Sequence, residues 1–423
     1  MARVHAAFVG CKVSRADSRA ALRALADAGH TAVDDAAAAD LHVVMTCGVT
    51  AAAEAKSRRL VRRLAASGRP VVVAGCASAL RGGQFDGEGV TVAAGDDAQA
   101  QLGAVVGSAA RALAAAGGES APAGAAATAT GSRTRFTLKV QDGCPAACTY
   151  CAVRLARGAP WSLPLRTALA VVTEALARGC GEVVLSGVNL GRYRDTGAGG
   201  QHDLAALVAR LAALPGLARL RLSSIEPLDL TGELLEALAH PRVARHLHVP
   251  LQSADDAVLR AMGRPYTVAR YHALTGAARE RLGDDLALSG DVIVGFPTED
   301  DAAFERTRRA IEPSGELFAR VHVFRYSSRP GTAAAALGRL PAALLKQRVA
   351  GALSAAAAAR RTFAAAWLGR EAEVLVEEFR DGLWRGYSSQ YVRYHLRGEA
   401  APGALVRAVA DELHADGVKG RVV

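Results

Sequence analysis

Lys139-Val140-Gln141-Asp142-Gly143-Cys144-Pro145-Ala146-Ala147-Cys148-Thr149-Tyr150-Cys151 puts three thiols within eight residues, directly behind an apolar run, Phe136 to Val140, that reads as a strand. A loop with this spacing can wrap three irons of a 4Fe-4S cube and leave the fourth iron without a protein thiolate, open to a substrate or cofactor. Tyr150, beside the last thiol, is placed to pack against whatever binds there. Two other readings fit the same residues. One is a zinc site completed by a ligand from elsewhere; the other is a turn marked by Gly143 and Pro145 with buried thiols.

Downstream of this loop, apolar runs at Glu182 to Ser186, Leu220 to Ser224, Leu247 to Leu251, Leu288 to Val294 and Val321 to Tyr326 alternate with helical stretches such as Leu165 to Ala177, Asp255 to Met262 and Thr298 to Ile311. Together with Phe136 to Val140 they make a βα series, which predicts a parallel sheet with right-handed crossovers and the form of a partial (βα)6 barrel. Chemistry in such barrels sits at the C-terminal strand ends. After an alanine-rich helix from Pro341 to Leu368, the runs Ala372 to Phe379, Leu383 to Ser388, Tyr391 to Leu396 and Ala404 to Ala410 alternate with period two, predicting a small antiparallel β module.

Upstream, the runs His5 to Cys11, Leu41 to Cys47, Pro70 to Cys76 and Val90 to Ala94 are separated by amphipathic segments such as Asp17 to Ala28 and Ala51 to Ala66. Short Val-rich runs between helices read as buried parallel strands of an α/β domain. Three of them end at a cysteine, and an open parallel sheet shares one C-terminal edge, so Cys11, Cys47 and Cys76 are expected to converge. The stretch Ala115 to Ser132 is rich in Gly, Ala and Pro and has linker composition. The expected organisation is therefore an α/β domain over 1–115, a linker over 116–132, the barrel over 133–368 and the β module over 369–423.

The chain has 423 residues, 51% hydrophobic and 22% charged, with seven cysteines. It shows no apolar leader behind a basic start and no uninterrupted apolar span, so neither export nor a membrane is expected and the cytoplasm is the expected location. In a reducing compartment thiols serve as metal ligands or redox groups more often than as disulfides. The net charge of +10 is carried by residues 133–370, while 371–423 sum to −2. A polyanion such as RNA would be drawn mainly to the middle of the chain, although a solvated arginine-rich surface gives the same count. Cys180 stands apart from both triads and is expected as a small buried hydrophobe.

The CxxxCxxC loop after the first barrel strand resembles the radical S-adenosylmethionine enzymes. GCKV at Gly10 to Val13, TCGVTAAAEAKSRR at Thr46 to Arg59, Gly75-Cys76, LSGVNLGRY at Leu185 to Tyr193, RLSSIEP at Arg221 to Pro227, HVPLQS at His248 to Ser253, DVIVGFPTED at Asp291 to Asp300 and HVFRYSSRPGT at His322 to Thr332 resemble one family among them, the methylthiotransferases. The first two stretches look most like the branch acting on N6-threonylcarbamoyladenosine at position 37 of tRNA. Met45 stands where the family usually has asparagine, and the segment after Cys151 keeps Arg157 and Gly158 while losing other basic residues.

This resemblance implies two 4Fe-4S clusters: a radical cluster on Cys144, Cys148 and Cys151, and an auxiliary cluster on Cys11, Cys47 and Cys76. It implies S-adenosylmethionine as cofactor, in a pocket involving Tyr150, Gly187, Glu226, Gln252 and Gly295. The implied reaction replaces the C2 hydrogen of the modified adenine by a methylthio group. The implied partners are the tRNA anticodon loop, whose bases can be unstacked, and an electron donor such as flavodoxin or ferredoxin. Arg58, Arg59, Arg62 and Arg63 would add phosphate contacts, and the β module resembles an RNA-binding TRAM domain in which Trp384, Tyr387, Tyr391 and Tyr394 either stack on bases or form core. The competing expectations are the same chemistry on a ribosomal protein side chain, and a non-catalytic iron-sulfur protein that binds RNA or moves electrons.

Overall fold

The computed structural model describes residues 1–93, 95, 98–115, 134–197, 200–313 and 318–423; the expected linker over 116–132 lies outside them. The chain packs as two units, one of Met1–Ser132 with Asp142–Trp161 and Arg329–Thr332, the other of Arg133–Gln141, Ser162–Ser328 and Ala333–Val423. Among the described residues no helix is long and apolar enough to cross a membrane.

In the first unit a five-stranded parallel sheet has the spatial order Thr31–Ala32, Arg3–Phe8, Leu41–Thr46, Val71–Gly75, Val90–Val92. Leu41–Thr46 and Val71–Gly75 are buried throughout, as a sheet covered on both faces requires. Met45 is 4% exposed and faces a core with Val4, Leu25 and Val105, so this position is spent on packing. The helices Lys12–Asp27, Ala51–Ala65 and Ala98–Ala115 accompany the sheet; the last was not anticipated, because its composition of Ala, Gly and Val shades into the linker. Thr50 caps the second of them by accepting from the Ala53 amide.

In the second unit the expected parallel strands form at Arg135–Asp142, Glu182–Gly187, Arg219–Leu222, His246–His248, Ala287–Val294 and Phe318–Arg325. They fall into two sheets, ordered 219–222, 182–187, 135–142, 161–162 and 246–248, 287–294, 318–325; Leu220 also forms an isolated parallel bridge to Val243, just before the strand His246–His248. Helix starts after the strands are capped by Asp203, Thr231, Asp255, Thr267 and Asp300. Val183, Leu185, Leu220, Leu222, Val292 and Val294 face the helices in one apolar core. With a period of two, the alternate residues Glu182, Ser186, Arg219, Arg221, Ser289 and Asp291 point to the opposite, inner face.

The C-terminal module is a closed barrel of Glu371–Arg380, Leu383–Ser388, Arg393–Arg397, Gly417–Val422 and Leu405–His414. Its pairs are antiparallel except the closing one, where Arg393–Arg397 runs parallel to Gly417–Val422. The last strand was missed because its alternation is interrupted by glycine and charge. Within this unit the module grips the N-terminal strand ends. Arg219 donates to the carbonyls of Glu373 and Tyr387, and Arg221 to those of Ser388 and Ser389. Tyr387 and Tyr391 stack on one another beneath Arg135, and Tyr391 also stacks on His246. Tyr394 is fully buried. These three aromatics are therefore core and clamp, and Trp384, paired with the exposed Phe379, is partly buried against the same barrel core.

Candidate functional site

All seven cysteines are free thiols. Cys11 caps the helix Lys12–Asp27, Cys47 follows the strand Leu41–Thr46, and Cys76 opens the helix Cys76–Arg81 behind Val71–Gly75. The three strands are adjacent, so their C-terminal ends bring the thiols together as expected. Two glycines permit the approach. A methyl on Gly10, at φ 130°, would lie 2.9 Å from Cβ and 3.3 Å from Sγ of Cys47, and one on Gly75, at φ 101°, would strike the Thr46 backbone. The Ser57 hydroxyl accepts from the Cys47 amide at 3.2 Å.

The loop Gly143 to Ala152 packs in this same unit. Asp142 anchors its start by accepting from the Gly143 amide at 2.9 Å, and a turn closes from Cys151 N to Cys148 O at 3.1 Å. Cys144, Cys148, Cys151 and Tyr150 are half-buried. Gly143 sits at φ 70°, where an added methyl would collide with the Ala159 carbonyl. Gly143→Ala is expected to add about 1–2 kcal/mol of backbone strain and to displace the loop. Iron analysis after anaerobic reconstitution should then fall from about eight to about four per chain; full retention would show that the loop tolerates the change.

The thiols are electrostatic neighbours. Burial pushes the Cys47 thiol up to about 11, with Cys76 and Cys11 adding to the rise. Burial raises Cys76 too, against the pull of Arg157. Cys151 is pushed up to about 12 by burial, then by Cys148, Cys144 and Cys76, so one triad is felt by the other. Burial thus keeps Cys47, Cys76 and Cys151 protonated, as for any buried thiol, and a metal bound there would have to displace the proton. The donor set, two groups of three thiols, fits iron-sulfur clusters with an open iron each.

Two arginines that the sequence reading did not single out as ligand partners knit this unit. Arg157 Nε donates to Cys76 Sγ at 3.2 Å while its other nitrogens pair with Asp17 and Asp142. Arg329, in the RYSSRPGT stretch, donates to the Gly48 carbonyl at 3.2 Å and pairs with Glu54 at 2.6 Å. Glu54 also holds Arg58, which shares Gln84, so Arg58 is committed inside the fold while Arg59, Arg62 and Arg63 are exposed.

In the second unit Gly187, Glu226, Gln252 and Gly295 share the C-terminal edge of the barrel strands. A methyl on Gly187 would press on Gln141, whose Oε1 accepts from the Asn189 amide at 2.7 Å. Glu226 pairs with the buried Arg264. Gln252 adopts φ 64°, its backbone clamped to Asp291 O and Ile293 N; such a conformation in a non-glycine residue costs on the order of 1–3 kcal/mol and marks functional sites. Gly295, at φ 80°, donates to Glu299 and leaves room for Leu345, so its lack of a side chain serves helix packing.

The inner face carries further polar groups. Ser186, 1% exposed, and Ser223, 9% exposed, have hydroxyls with no hydrogen-bond partner, which a bound ligand would satisfy. His248 and His322 both bond Asp291 Oδ1 at 3.0 Å, with their rings stacked 5.3 Å apart. Burial would raise the Asp291 carboxyl, but the two imidazoles outweigh it and hold the group well below the usual carboxylate range. Each of the three stands at the head of a quoted motif, HVPLQS, DVIVGFP and HVFR, a signal readable only once the strands are paired. Cys180 packs against the barrel core but is only partly buried, not fully as expected, and its sulfur lies 3.2 Å from the Glu182 carbonyl.

Residues 138–311 match the Radical SAM superfamily, and residues 3–93 match the Uncharacterized protein family UPF0004. A Thermotoga maritima protein named threonylcarbamoyladenosine tRNA methylthiotransferase MtaB is 32% identical, across 98% of this chain and 97% of its own length. A Novosphingobium aromaticivorans protein named tRNA-2-methylthio-N(6)-dimethylallyladenosine synthase is 34% identical, across 98% and 96%. Among solved structures, the radical S-adenosylmethionine methyltransferase TsrM of Kitasatospora setae, with cobalamin and a [4Fe-4S] cluster bound, superposes with a TM-score of 0.56 at 15% identity, covering 79% of this chain and 77% of that one, a likeness of fold alone.

Proposed function

The chain belongs to the radical S-adenosylmethionine methylthiotransferase family, and from that membership we propose that it inserts a methylthio group at C2 of N6-threonylcarbamoyladenosine at position 37 of tRNA. The observation that carries this reading is the presence of two triads of free thiols in one compact unit, close enough that Cys76 is felt at Cys151.

Cys144, Cys148 and Cys151 would hold the radical cluster, and Cys11, Cys47 and Cys76 the auxiliary one. When bound, the clusters and S-adenosylmethionine supply one-electron cleavage of a sulfonium and a sulfur that can carry a methyl group. The chain's own residues bind, orient and exclude water. Tyr150 would pack against a ligand of the cluster on Cys144, Cys148 and Cys151, and at the strand ends of the barrel Glu226 and Gln252 would meet polar groups of the cofactor. The base must leave its stack to be reached, which a single-stranded anticodon loop permits. Exposed Arg59, Arg62 and Arg63 and the cationic middle segment meet phosphates. Flavodoxin or ferredoxin would supply electrons, and the cytoplasm is the compartment that keeps such thiols reduced.

The names of the two relatives differ in the group on N6, one polar and acidic, the other a hydrocarbon. On the inner face His248, Asp291 and His322 are already bonded to one another, but the buried hydroxyls of Ser186 and Ser223 are without partners, which favours the threonylcarbamoyl group because a hydrocarbon would leave these two unsatisfied. Anaerobic reaction with tRNAs carrying one or the other group, followed by nucleoside mass spectrometry, is expected to add methylthio to the threonylcarbamoyl form. Product only from the dimethylallyl form would move the chain to that branch, and product from neither would remove tRNA as substrate.

A further inference from the structure

Arg157 stands at the end of the short helix Val153–Arg157, six residues after Cys151, and its side chain is 5% exposed. All three guanidinium nitrogens are committed. Nε donates to Cys76 Sγ at 3.2 Å, Nη1 to Asp142 at 3.0 Å and Nη2 to Asp17 at 2.8 Å. Asp142 introduces the loop that bears Cys144, and Asp17 lies on the helix that Cys11 caps. One planar fork therefore reaches a thiol of one triad and the chain flanking the other. Lysine, a point charge on a flexible stem, cannot reproduce three directed contacts.

We propose that Arg157 is a positioning residue that acts through the sulfur of Cys76: its Nε–H hydrogen bond raises the reduction potential of the cluster held by Cys11, Cys47 and Cys76. Its two ion pairs fasten the Cys144–Cys151 loop to that cluster's ligands. This rests on Cys76 being an auxiliary-cluster ligand. The physical cause is direct. A donor aimed at a ligand sulfur withdraws electron density from it and favours the more negative, reduced state, and burial keeps water from competing for the same lone pair. Asp17 and Asp142 oppose the effect by partly neutralising the guanidinium, which is why they sit on its far nitrogens and not on the sulfur side. Charge and hydrogen bond thus pull in opposite directions, and replacing one of each must move the potential in opposite senses.

The test uses the full chain with Cys144, Cys148 and Cys151 replaced by alanine, so that one cluster is read at a time, reconstituted anaerobically and titrated with redox mediators under electron paramagnetic resonance. About four irons per chain are expected in this background. Arg157→Lys, which keeps the charge and loses the directed N–H, should shift the midpoint to more negative values. Asp17→Asn, which keeps the N–H and removes a counter-charge, should shift it to more positive values. Should Arg157→Lys fail to retain iron, Asp17→Asn decides alone. Unchanged midpoints at full iron content overturn the role of Arg157 and leave the ligand assignment standing. A background that holds no iron overturns the ligand assignment itself.

Discussion

Replacing Cys144, Cys148 and Cys151 together by alanine is expected to abolish cleavage of S-adenosylmethionine and lower the iron content from about eight to about four per chain. Replacing Cys11, Cys47 and Cys76 is expected to cause the same loss of iron while leaving that cleavage in place and abolishing methylthio transfer. The asymmetry follows from the two proposed roles. The loop triad is half-buried beside Tyr150, whereas in the other triad Cys11 is exposed and Cys47 and Cys76 are 6% and 7% exposed, held by Ser57 and Arg157. Alanine leaves a gap about the size of one sulfur, a cost of roughly 1–2 kcal/mol per buried site, so both variants should still fold. The measurements are iron analysis and quantitation of 5′-deoxyadenosine and methylthiolated nucleoside from the same preparation. Full iron retention in either triple variant, or loss of cleavage in both, would contradict the division of labour.

The parts of this site that could be read in the sequence are those whose signal is local. CxxxCxxC behind a strand is one loop, and a cysteine at the end of each of three Val-rich runs needs only the rule that parallel strands share an edge. The strands and their order of alternation with helices were legible for the same reason. What stayed hidden depends on pairing across distance. Arg157 and Cys76 are 81 residues apart, and Arg329 and Glu54 are 275 apart, so no window contains both partners. The His248, Asp291 and His322 group appears only when three strands are set in register. The aromatics of the C-terminal module were read from alternation alone, which cannot distinguish a stacking platform from a clamp. Tyr387 and Tyr391 turned out to be committed by Arg135 and Arg221, residues more than 160 positions upstream.

That clamp leads to the second large effect. Glu182 is completely buried at the first position of its strand and faces Arg219, Arg221 and Arg135. Burial would push its carboxyl up, but the guanidinium groups, Arg221 first among them, hold it below the usual carboxylate range. Glu182→Gln keeps the shape and removes the charge that balances the buried Arg219 and Arg221 and the half-buried Arg135. Breaking a buried pair in this way costs about 3–5 kcal/mol, far more than an exposed pair. The loss should concentrate in the C-terminal module, because the same arginines hold the carbonyls of Glu373, Tyr387, Ser388 and Ser389. Faster hydrogen exchange across 371–423 and a lower unfolding midpoint are the readouts. Arg221→Met added to Glu182→Gln removes one of the stranded cations, so the double variant should lose less than the sum of the singles. The pH dependence has a definite sign. A carboxyl whose folded pKa is depressed contributes stability that is complete above its unfolded value, about 4.3, and is lost as pH falls through the lower folded value. Wild type and Glu182→Gln should therefore converge in stability on acidification below that range. If the difference between them is under about 0.5 kcal/mol at neutral pH, the size of an ordinary surface substitution, then the charges are balanced by something other than Glu182 and the clamp is held by its backbone hydrogen bonds alone.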